Sequence, residues 1–508
     1  MKFTLLLLAS VALGLPTVSN SDYLSSVNTV WDIVDKHSTF GDLETRDLAD
    51  LDSAIKHRYL VTFRPDATQQ EISQHFENVD KWIGSKAQKR DGEFTQKIEG
   101  AFSSVSRSSH PSDAFAATGT SPFDGYYGKF DNHILDQVRK SSIVDTVEPD
   151  TIQTSPSFDG HSASLDDEEE DEDAAAAQNS FAVITLNKQL TKSWGLDRIS
   201  HVENGIPADV GANYSLIPQM EYIYAPSKHE TVAYVLDTGV NTTNAFFGGR
   251  ASEPVMFTEG EPHGDYAGHG THVAGILGSA NFGVAKDAKI VSVKVLNMGS
   301  AGPASAVING VNWVIQNNNA TRAVINYSAA GPVSKAMNQA FAKAVEAGIT
   351  VVVSAGNFMK DACDYSPANI GSVIDGAIVV AASDQRDKFA VGASWGSNYG
   401  PCVSVFAPGT DIPSLHWKNE RLVFFDSGTS MSAPFVSGMV LYHQSQSDQP
   451  LSPKDVADKI TNSNQAKIIS PMQDTANGLV YNEAIGKAPV PVSSENYGPV
   501  APTGQPLS

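Results

Sequence analysis

Residues 349–357 read ITVVVSAGN, an unbroken apolar run that ends in small and polar residues. Comparable apolar runs recur along the chain, at 231–236 (TVAYVL), 288–296 (AKIVSVKVL), 323–326 (AVIN) and 377–383 (AIVVAAS). Stretches with helical spacing separate them, for example ASAVINGVNWVIQN at 304–317. Continuous apolar strands that alternate with helices are typical of a parallel sheet with helices on both faces. We therefore predict an α/β domain of three layers over residues 181–483.

A smaller unit precedes this domain. RYLVTFR at 58–64 alternates like a strand, and TQQEISQHFENVDKWI, which follows it closely, has helical spacing with a threonine at its start. Two further strands, a helix and a last strand come next. The order predicts a small α+β domain of ferredoxin-like type, which we place at 55–155.

The remaining segments read as leader, spacer, linker and tail. The opening MKFTLLLLASVALGLP has one lysine and then an apolar run too short to span a bilayer, as in a secretory signal peptide. We place this peptide at 1–18 and a spacer at 19–54. Eight consecutive acids, at 166–173, mark residues 156–180 as a disordered linker. Residues 484–508, rich in Pro, Gly and Ser, are expected to form a flexible tail.

The distribution of charge along the chain indicates which classes of partner the protein is suited to bind. The chain has 508 residues and a formal net charge of -22. Residues 1–178 hold 15 basic and 31 acidic residues, and residues 179–508 hold 20 and 26, so most of the acidity precedes the larger domain. An acidic chain is not suited to a nucleic-acid partner. No segment after the leader has the ~20 apolar residues of a membrane helix, and we expect a monomer that does not enter the membrane.

Four polar residues lie where an open parallel sheet forms its site, at or beyond strand ends. Asp237 follows TVAYVL, His269 lies between two glycines in GHGTHVAG, and Asn357 ends the run quoted first. Ser430 lies in FFDSGTSMSAPFVSGMV, residues 424–440, where the chain turns into a helix. Taken singly, Asp237 and Asn357 are equally well explained as turn residues. His272 is expected to be structural, because His-x-x-His lacks the spacing of a zinc-protease helix; we predict no metal site.

Together these residues predict nucleophilic catalysis. Ser430 would attack, His269 would take its proton, and Asp237 would orient the imidazole. A helix N-terminus favours negative charge, so the Ser430 N–H and the Asn357 amide would hold an oxyanion. The order Asp, His, Ser argues against an α/β-hydrolase, in which the serine comes first.

The motifs resemble those of the subtilisin family of serine proteases, and among them the proteinase K and cerevisin group of fungal enzymes. They are VLDTGV (235–240), GHGTHVAG (268–275), SAGN (354–357) and GTSMSAP (428–434). The resemblance covers roughly 190–483, and residues 58–153 resemble the inhibitor-like propeptide of such enzymes. It implies a zymogen whose propeptide aids folding, blocks the cleft and is cut away by the enzyme itself.

The resemblance also implies the substrate-binding residues. The family's edge strand Ser-Leu-Gly-Gly, which pairs with the substrate backbone, is here Ser328-Ala329-Ala330-Gly331. Ala329 removes a bulky wall, and Ala330 adds a methyl where a backbone approaches. The facing strand keeps Gly302, and the remaining substrate-binding residues are expected to be Ser354, Ala355 and Gly356. The position of a calcium-ligating Asp in proteinase K-like enzymes is occupied by Ser404, so a structural calcium ion is not expected and no cofactor is required.

Two cysteines occur, Cys363 and Cys402. From the residues alone they are either a disulfide, formed in an oxidising compartment, or two buried thiols, whereas the resemblance to cerevisin implies the disulfide. Asn-x-Ser/Thr sequons make Asn213, Asn241 and Asn319 candidate glycosylation sites.

The sequence therefore predicts a secretory-pathway serine endopeptidase of broad, apolar preference, either secreted or vacuolar, with protein substrates and its own propeptide as partners. The alternative is a catalytically silent peptide-binding protein on the same fold.

Overall fold

The computed structural model describes residues 51–84, 96–102, 124–164, 186–206, 217–463, 466–468, 472 and 474–484. The predicted signal peptide, most of the spacer, the acidic run, Asn213 and nearly all of the tail lie outside the described residues. The strands are β1 (Arg58–Phe63), β2 (Lys97–Ala101), β3 (Gly125–Lys129), β4 (Val144–Pro149), β5 (Ile152–Thr154), β6 (Phe158–Ser164), β7 (Asn187–Thr191), β8 (Met220–Tyr224), β9 (Val232–Asp237), β10 (Ala251–Met256), β11 (Lys289–Lys294), β12 (Ala301–Pro303), β13 (Ala323–Tyr327), β14 (Thr350–Ser354), β15 (Ala377–Ser383), β16 (Val405–Pro408), β17 (Ile412–Leu415), β18 (Leu422–Ser427), β19 (Ala466–Lys467) and β20 (Gly478–Leu479). The helices are α1 (Gln69–Gly84), α2 (Asn132–Arg139), α3 (Trp194–Ser200), α4 (His269–Gly278), α5 (Ala304–Asn317), α6 (Lys335–Glu346), α7 (Thr429–Gln446) and α8 (Pro453–Asn462).

A mostly parallel sheet forms the centre of the larger domain. Within the described residues its order is β10-β11-β9-β13-β14-β15-β16-β20-β19, and only β19 runs antiparallel to its neighbour. Successive side chains of a strand point to opposite faces, and here both faces are buried. In β14, Val352 packs on the face that carries α4 and α7, whereas Val351 and Val353 pack on the face of α5 and α6. The predicted three-layer α/β fold is confirmed.

The N-terminal unit has its own core. Strands β1 to β4 form an antiparallel sheet in the order β2-β3-β1-β4. Helices α1 and α2 cover one face of it through Ile72, Phe76 and Ile134, which pack against Val61 and Tyr126. The predicted small α+β domain is confirmed. No helix in the described part of the chain is long and apolar enough to span a bilayer.

The two units meet at the N-termini of two helices. Glu148 accepts hydrogen bonds from Ser334 Oγ (2.6 Å) and from the backbone N–H groups of Lys335 (3.1 Å) and Ala336 (3.2 Å), at the start of α6. Asp150 accepts from Ser305 Oγ (2.6 Å) and Ser305 N (3.0 Å), at the start of α5. The N-terminal unit thus supplies partners to backbone donors that a helix leaves unpaired.

The same surface buries Asp150 completely. Burial raises the pKa of Asp150 to about 6, although Ser305 and Arg58 stabilise its charged form. Leu60 and Phe102 of the N-terminal unit pack with the side chains of α5. Asn312, on this helix, donates a hydrogen bond to the Phe102 carbonyl (2.9 Å).

The predicted linker is wrong at its beginning. Residues 158–164, assigned to disordered chain, form β6, which pairs antiparallel with β18. The segment SPSFDGHSAS does not alternate between apolar and polar residues, so periodicity did not predict a strand. Its conformation follows from pairing with a strand that is already held in the larger domain.

Candidate active site

Asp237 and His269 lie next to each other at the carboxyl end of the central sheet. Asp237 ends β9 and His269 begins α4, and His269 Nδ1 donates to Asp237 Oδ1 over 2.8 Å. Both residues are buried. Burial opposes charge on the imidazole, but the adjacent Asp237 carboxylate, together with the smaller effects of Asp426 and Asp265, outweighs it, so the pKa of His269 lies above its ordinary value. Asp237 therefore fixes the ring and its tautomer, and leaves Nε2 available towards the cleft.

Sequence reasoning missed Asp265, which orders the loop before His269. Its Oδ1 accepts from Gly268 N (2.7 Å) and Thr238 Oγ1 (2.9 Å), and its Oδ2 accepts from Thr271 N (2.8 Å) and Thr271 Oγ1 (2.6 Å). The carboxylate thereby joins the turn after Asp237 to the start of α4. An Asp shortly before a glycine-bounded helix start was the available signal, because short polar side chains cap helices.

Lys294 was also missed, because it ends a strand that reads as apolar. It is fully buried, and its Nζ donates to the Thr238 carbonyl over 2.7 Å. Its ion pair with Glu261 spans 3.1 Å. A buried charge is tolerated only when paired and hydrogen-bonded, and here the pairing holds the turn that carries Asp237.

Ser430 lies in the first turn of α7, two residues after Gly428, whose φ of 141° lies in the left-handed region. Ser430 Oγ donates to the Ser328 carbonyl over 3.0 Å, and Ser328 Oγ donates to the Ser430 carbonyl over 3.0 Å. Among the described residues, His269 Nε2 has no hydrogen-bond partner. The Ser430 hydroxyl is therefore engaged by the edge strand, and the His269 Nε2 carries no competing hydrogen bond in the described part of the chain.

Asn357 lies beside the serine. Its Oδ1 accepts from Thr429 N (2.8 Å) and Thr429 Oγ1 (3.0 Å). These bonds fix the amide, whose Nδ2 would be 3.1 Å from a Cβ placed on Gly428. The Asn357 Nδ2 and the backbone N–H of Ser430 thus border the same small space, with donors for a developing negative charge.

The predicted edge strands are both engaged by residues 152–155. In β5, Gln153 pairs with Gly302 of β12. Thr154 N donates to Ala330 O and Ala330 N donates to Thr154 O, each over 3.0 Å. The backbone does approach at Ala330, as expected, and the added methyl does not prevent pairing at normal hydrogen-bond distance.

The other predicted substrate-binding residues lie around this pairing. Gly331 faces the Gln153 side chain, which would be 2.6 Å from an added Cβ. Ala329 packs within the core beneath the edge strand. Ser354, Ala355 and Gly356 are buried at the carboxyl end of β14 and lead directly to Asn357.

The remaining predictions concern residues around the cleft. A disulfide joins Cys363 and Cys402. His272 donates through Nε2 to the carbonyls of Ile412 (3.0 Å) and Phe424 (2.9 Å), and burial lowers its pKa to about 3, as expected of a structural histidine. Among the described residues, no group of three His, Cys, Asp or Glu side chains is placed to hold a metal ion.

Two of the sequons lie in described segments. Asn319 is exposed. Asn241 is partly buried, and its Nδ2 donates to the Trp417 carbonyl over 2.9 Å.

Comparison with known proteins gives two family matches. Residues 228–487 match the subtilase family (peptidase S8), and residues 58–155 match the peptidase inhibitor I9 family. An alkaline extracellular protease of Yarrowia lipolytica is 34% identical over 85% of this chain and 86% of its own length. A cuticle-degrading serine protease of Arthrobotrys oligospora is 30% identical over 84% of this chain and 91% of its own. Cerevisin of Saccharomyces cerevisiae is 32% identical over 84% of this chain and 64% of its own.

Proposed function

The chain belongs to the subtilase family and is a serine endopeptidase made as a zymogen with an inhibitor propeptide, and we propose that Asp237, His269 and Ser430 carry its catalysis. The observation that supports these roles most directly is the 2.8 Å contact between His269 Nδ1 and Asp237 Oδ1. The comparisons give no support to the alternative of a silent peptide-binding protein.

The proposed reaction is acyl transfer in two steps. Ser430 Oγ attacks the peptide carbonyl while His269 Nε2 accepts its proton, and the same imidazole returns the proton to the leaving amine. The tetrahedral oxyanion is stabilised by the Asn357 Nδ2 and the Ser430 N–H. Water then hydrolyses the acyl-enzyme by the reverse route. Before attack, the Ser430 hydroxyl leaves the Ser328 carbonyl and turns to His269.

We propose a broad, apolar side-chain preference. The segments next to the catalytic residues carry small, uncharged residues at Ala329, Ala355 and Gly356, all of which are buried, and such surroundings select side chains by size more than by charge. Acyl transfer through the three side chains needs no cofactor, so activity is expected to survive chelation of divalent ions, with no structural calcium.

The remaining proposals concern the protein in its compartment. We propose a secreted monomer that does not enter the membrane, with a vacuole as the alternative destination; one of the relatives is named as an extracellular protease. Asn319, which is exposed, is the sequon best placed to carry a glycan.

Intact mass and labelling with a fluorophosphonate probe test the catalytic assignment. The wild-type protein should lose roughly its first third and take up one probe molecule, while Ser430→Ala should do neither. Ser432→Ala is the matched control, since Ser432 lies on the same helix and donates only to the carbonyls of Ala407 and Pro408; it should still be labelled. A folded wild-type protein that stays full-length and unlabelled would contradict the proposal.

A further inference from the structure

The chain runs through its own cleft in a defined register. Residues 152–154 pair with β12 on one side, and Thr154 exchanges two hydrogen bonds with Ala330 on the other. The Ser155 N–H donates to the Ser300 carbonyl over 2.9 Å. These residues therefore occupy the acyl side of the cleft, where the substrate residues that precede the cleaved bond are bound.

The register brings Pro156 opposite Ser328. Antiparallel strands run in opposite directions, so the residue two positions after Thr154 lies opposite the residue two positions before Ala330. Pro156 therefore lies opposite Ser328. A residue with an N–H would donate to the Ser328 carbonyl there. Proline has no N–H, and the carbonyl is taken by the Ser430 hydroxyl instead. By this register the bond facing Ser430 is Pro156–Ser157, held while the Ser430 hydroxyl is bonded to the Ser328 carbonyl.

The chain continues as a strand beyond Ser430. Phe158 pairs with Ser427, and β6 follows β18 as far as the pair of Ser164 with Leu422. The Ser157 hydroxyl donates to Asp426 Oδ2. The His161 ring stacks on Phe425 with 4.6 Å between ring centroids. This is the leaving-group side of the cleft, where the substrate residues that follow the cleaved bond are bound.

The strand that β6 pairs with is connected to the catalytic residues. β18 leads directly into Ser430, and His272 ties the Phe424 carbonyl to α4, the helix that carries His269. Residues 157–164 lie outside both family matches, which end at 155 and begin at 228. Their contacts are thus not accounted for by the inhibitor domain.

The geometry points to the edge of β18 as a long binding site for the peptide on the leaving-group side, with Asp426 selecting a hydrogen-bond donor in the first residue after the cut. Residues 157–164 occupy this site in the zymogen and add to the inhibition by the inhibitor domain. This inference rests on the proposed protease function. Backbone pairing supplies affinity along the strand, and the buried carboxylate of Asp426 supplies selectivity, because a buried acceptor left unpaired is costly.

A strand-breaking variant tests the occupancy. Successive N–H groups of a strand point to opposite sides, so Ser162→Pro with Ala163→Pro removes the donor that faces β18, whichever it is. The matched control, Ser162→Ala with Ala163→Ser, keeps both N–H groups. In the Ser430→Ala background, hydrogen exchange of those 422–427 amides that face β6, and not of those that face β17, should become at least tenfold faster in the proline variant and stay unchanged in the control. Unchanged exchange would overturn the seating of β6, and this readout does not need catalysis.

Labelling tests inhibition. With Ser430 intact, the fluorophosphonate probe should label the proline variant at least tenfold faster than wild type or control during early processing. Faster exchange with an unchanged labelling rate would overturn the inhibitory role. Absence of labelling in every variant, even after processing, would instead contradict the protease function.

Peptides test the role of Asp426 on the processed enzyme. The octapeptide SFDGHSAS, residues 157–164, should inhibit casein hydrolysis with a Ki at least tenfold lower than a scrambled octapeptide, and the version with Ser157→Ala should be about tenfold weaker than the native one. Equal inhibition by the native and alanine peptides would overturn the selection by Asp426. Equal inhibition by the native and scrambled peptides would overturn the site.

Discussion

At the scale of single residues, the charge on His269 should set the lower pH limit of activity. The imidazole must be neutral to accept the Ser430 proton, and Asp237 raises its pKa above the ordinary value against the effect of burial. Activity should therefore fall as the pH drops through a value above about 6.5, the ordinary histidine pKa. In Asp237→Asn the charge that raises this pKa most is lost, while burial and the smaller effects of Asp426 and Asp265 remain. The acid limb of kcat/KM should therefore move to lower pH, with kcat reduced by roughly 10³–10⁴.

The control for this profile is a change of net charge elsewhere. Glu230→Gln removes an exposed carboxylate that pairs only with Lys289 in the described structure, and its acid limb should coincide with that of the wild type. An acid limb that stays in place in Asp237→Asn would show that another group than His269 sets it.

Residue by residue, the sequence predicted the polar groups that end strands and missed those that support them. Asp237 and Asn357 are visible because each breaks an apolar run. Asp265 and Lys294 act through backbone carbonyls and N–H groups that only the folded loop brings together. The Asp265–Gly268 contact is local, but Thr238, which both side chains contact, lies 27 residues before Asp265 and 56 before Lys294, so no local pattern contains those contacts.

At the scale of elements, the Cys363–Cys402 disulfide should be a main contribution to thermal stability. It closes a loop over a sequence separation of 39 residues, and the chain-entropy model gives such a loop about 4 kcal/mol. For a domain of this size each kcal/mol changes Tm by roughly 2–4 °C. We expect Cys363→Ala with Cys402→Ala to lower Tm by about 8–15 °C, measured by calorimetry in the Ser430→Ala background so that self-digestion does not interfere.

Reduction supplies the control for this variant. A reductant should lower the Tm of the disulfide-containing protein by a similar amount and leave the double-alanine variant unchanged. If both the double-alanine variant and the reduced protein had a Tm within about 2 °C of that of the disulfide-containing protein, the loop would be held by its packing instead. The stacked rings of Phe358 and Tyr365 are one such contact.

The elements also show where sequence patterns are sufficient. Strands such as β14 and β15 are apolar on both faces because helices cover both faces of the sheet. Each strand is therefore an unbroken apolar run, and such a run in the sequence predicts it directly. β6 has no such signature, since its strand conformation depends on the free edge of β18, which lies more than 250 residues away in the chain. Edge pairing of this kind is a tertiary effect that local composition does not encode.

At the scale of the whole molecule, the inhibitor unit is held by the helices that it caps. The propeptide brings the partly buried Glu148 to the start of α6 and the buried Asp150 to the start of α5, so two carboxylates join the units through the N-termini of these helices. Loss of a helix cap costs about 0.5–2 kcal/mol, which corresponds to roughly 2–30-fold in affinity. These contacts, and not the cleft strand alone, should set how long the zymogen stays closed.

The double variant Glu148→Ala with Asp150→Ala should therefore open the cleft of the zymogen sooner. We expect the freshly purified variant to react with a fluorophosphonate probe about 10–100-fold faster than wild type, because the inhibitor unit dissociates more often and exposes Ser430. Glu77→Ala is the matched control, since Glu77 is an exposed acid of α1 whose contacts, Gln74 and Lys81, lie in the same helix; it should react at the wild-type rate. Both substituted positions precede the residues that match the subtilase family, so the processed enzymes should all react alike. If the double variant instead reacted at the wild-type rate before processing, the pairing of residues 152–164 with the cleft would be sufficient by itself to keep the zymogen closed.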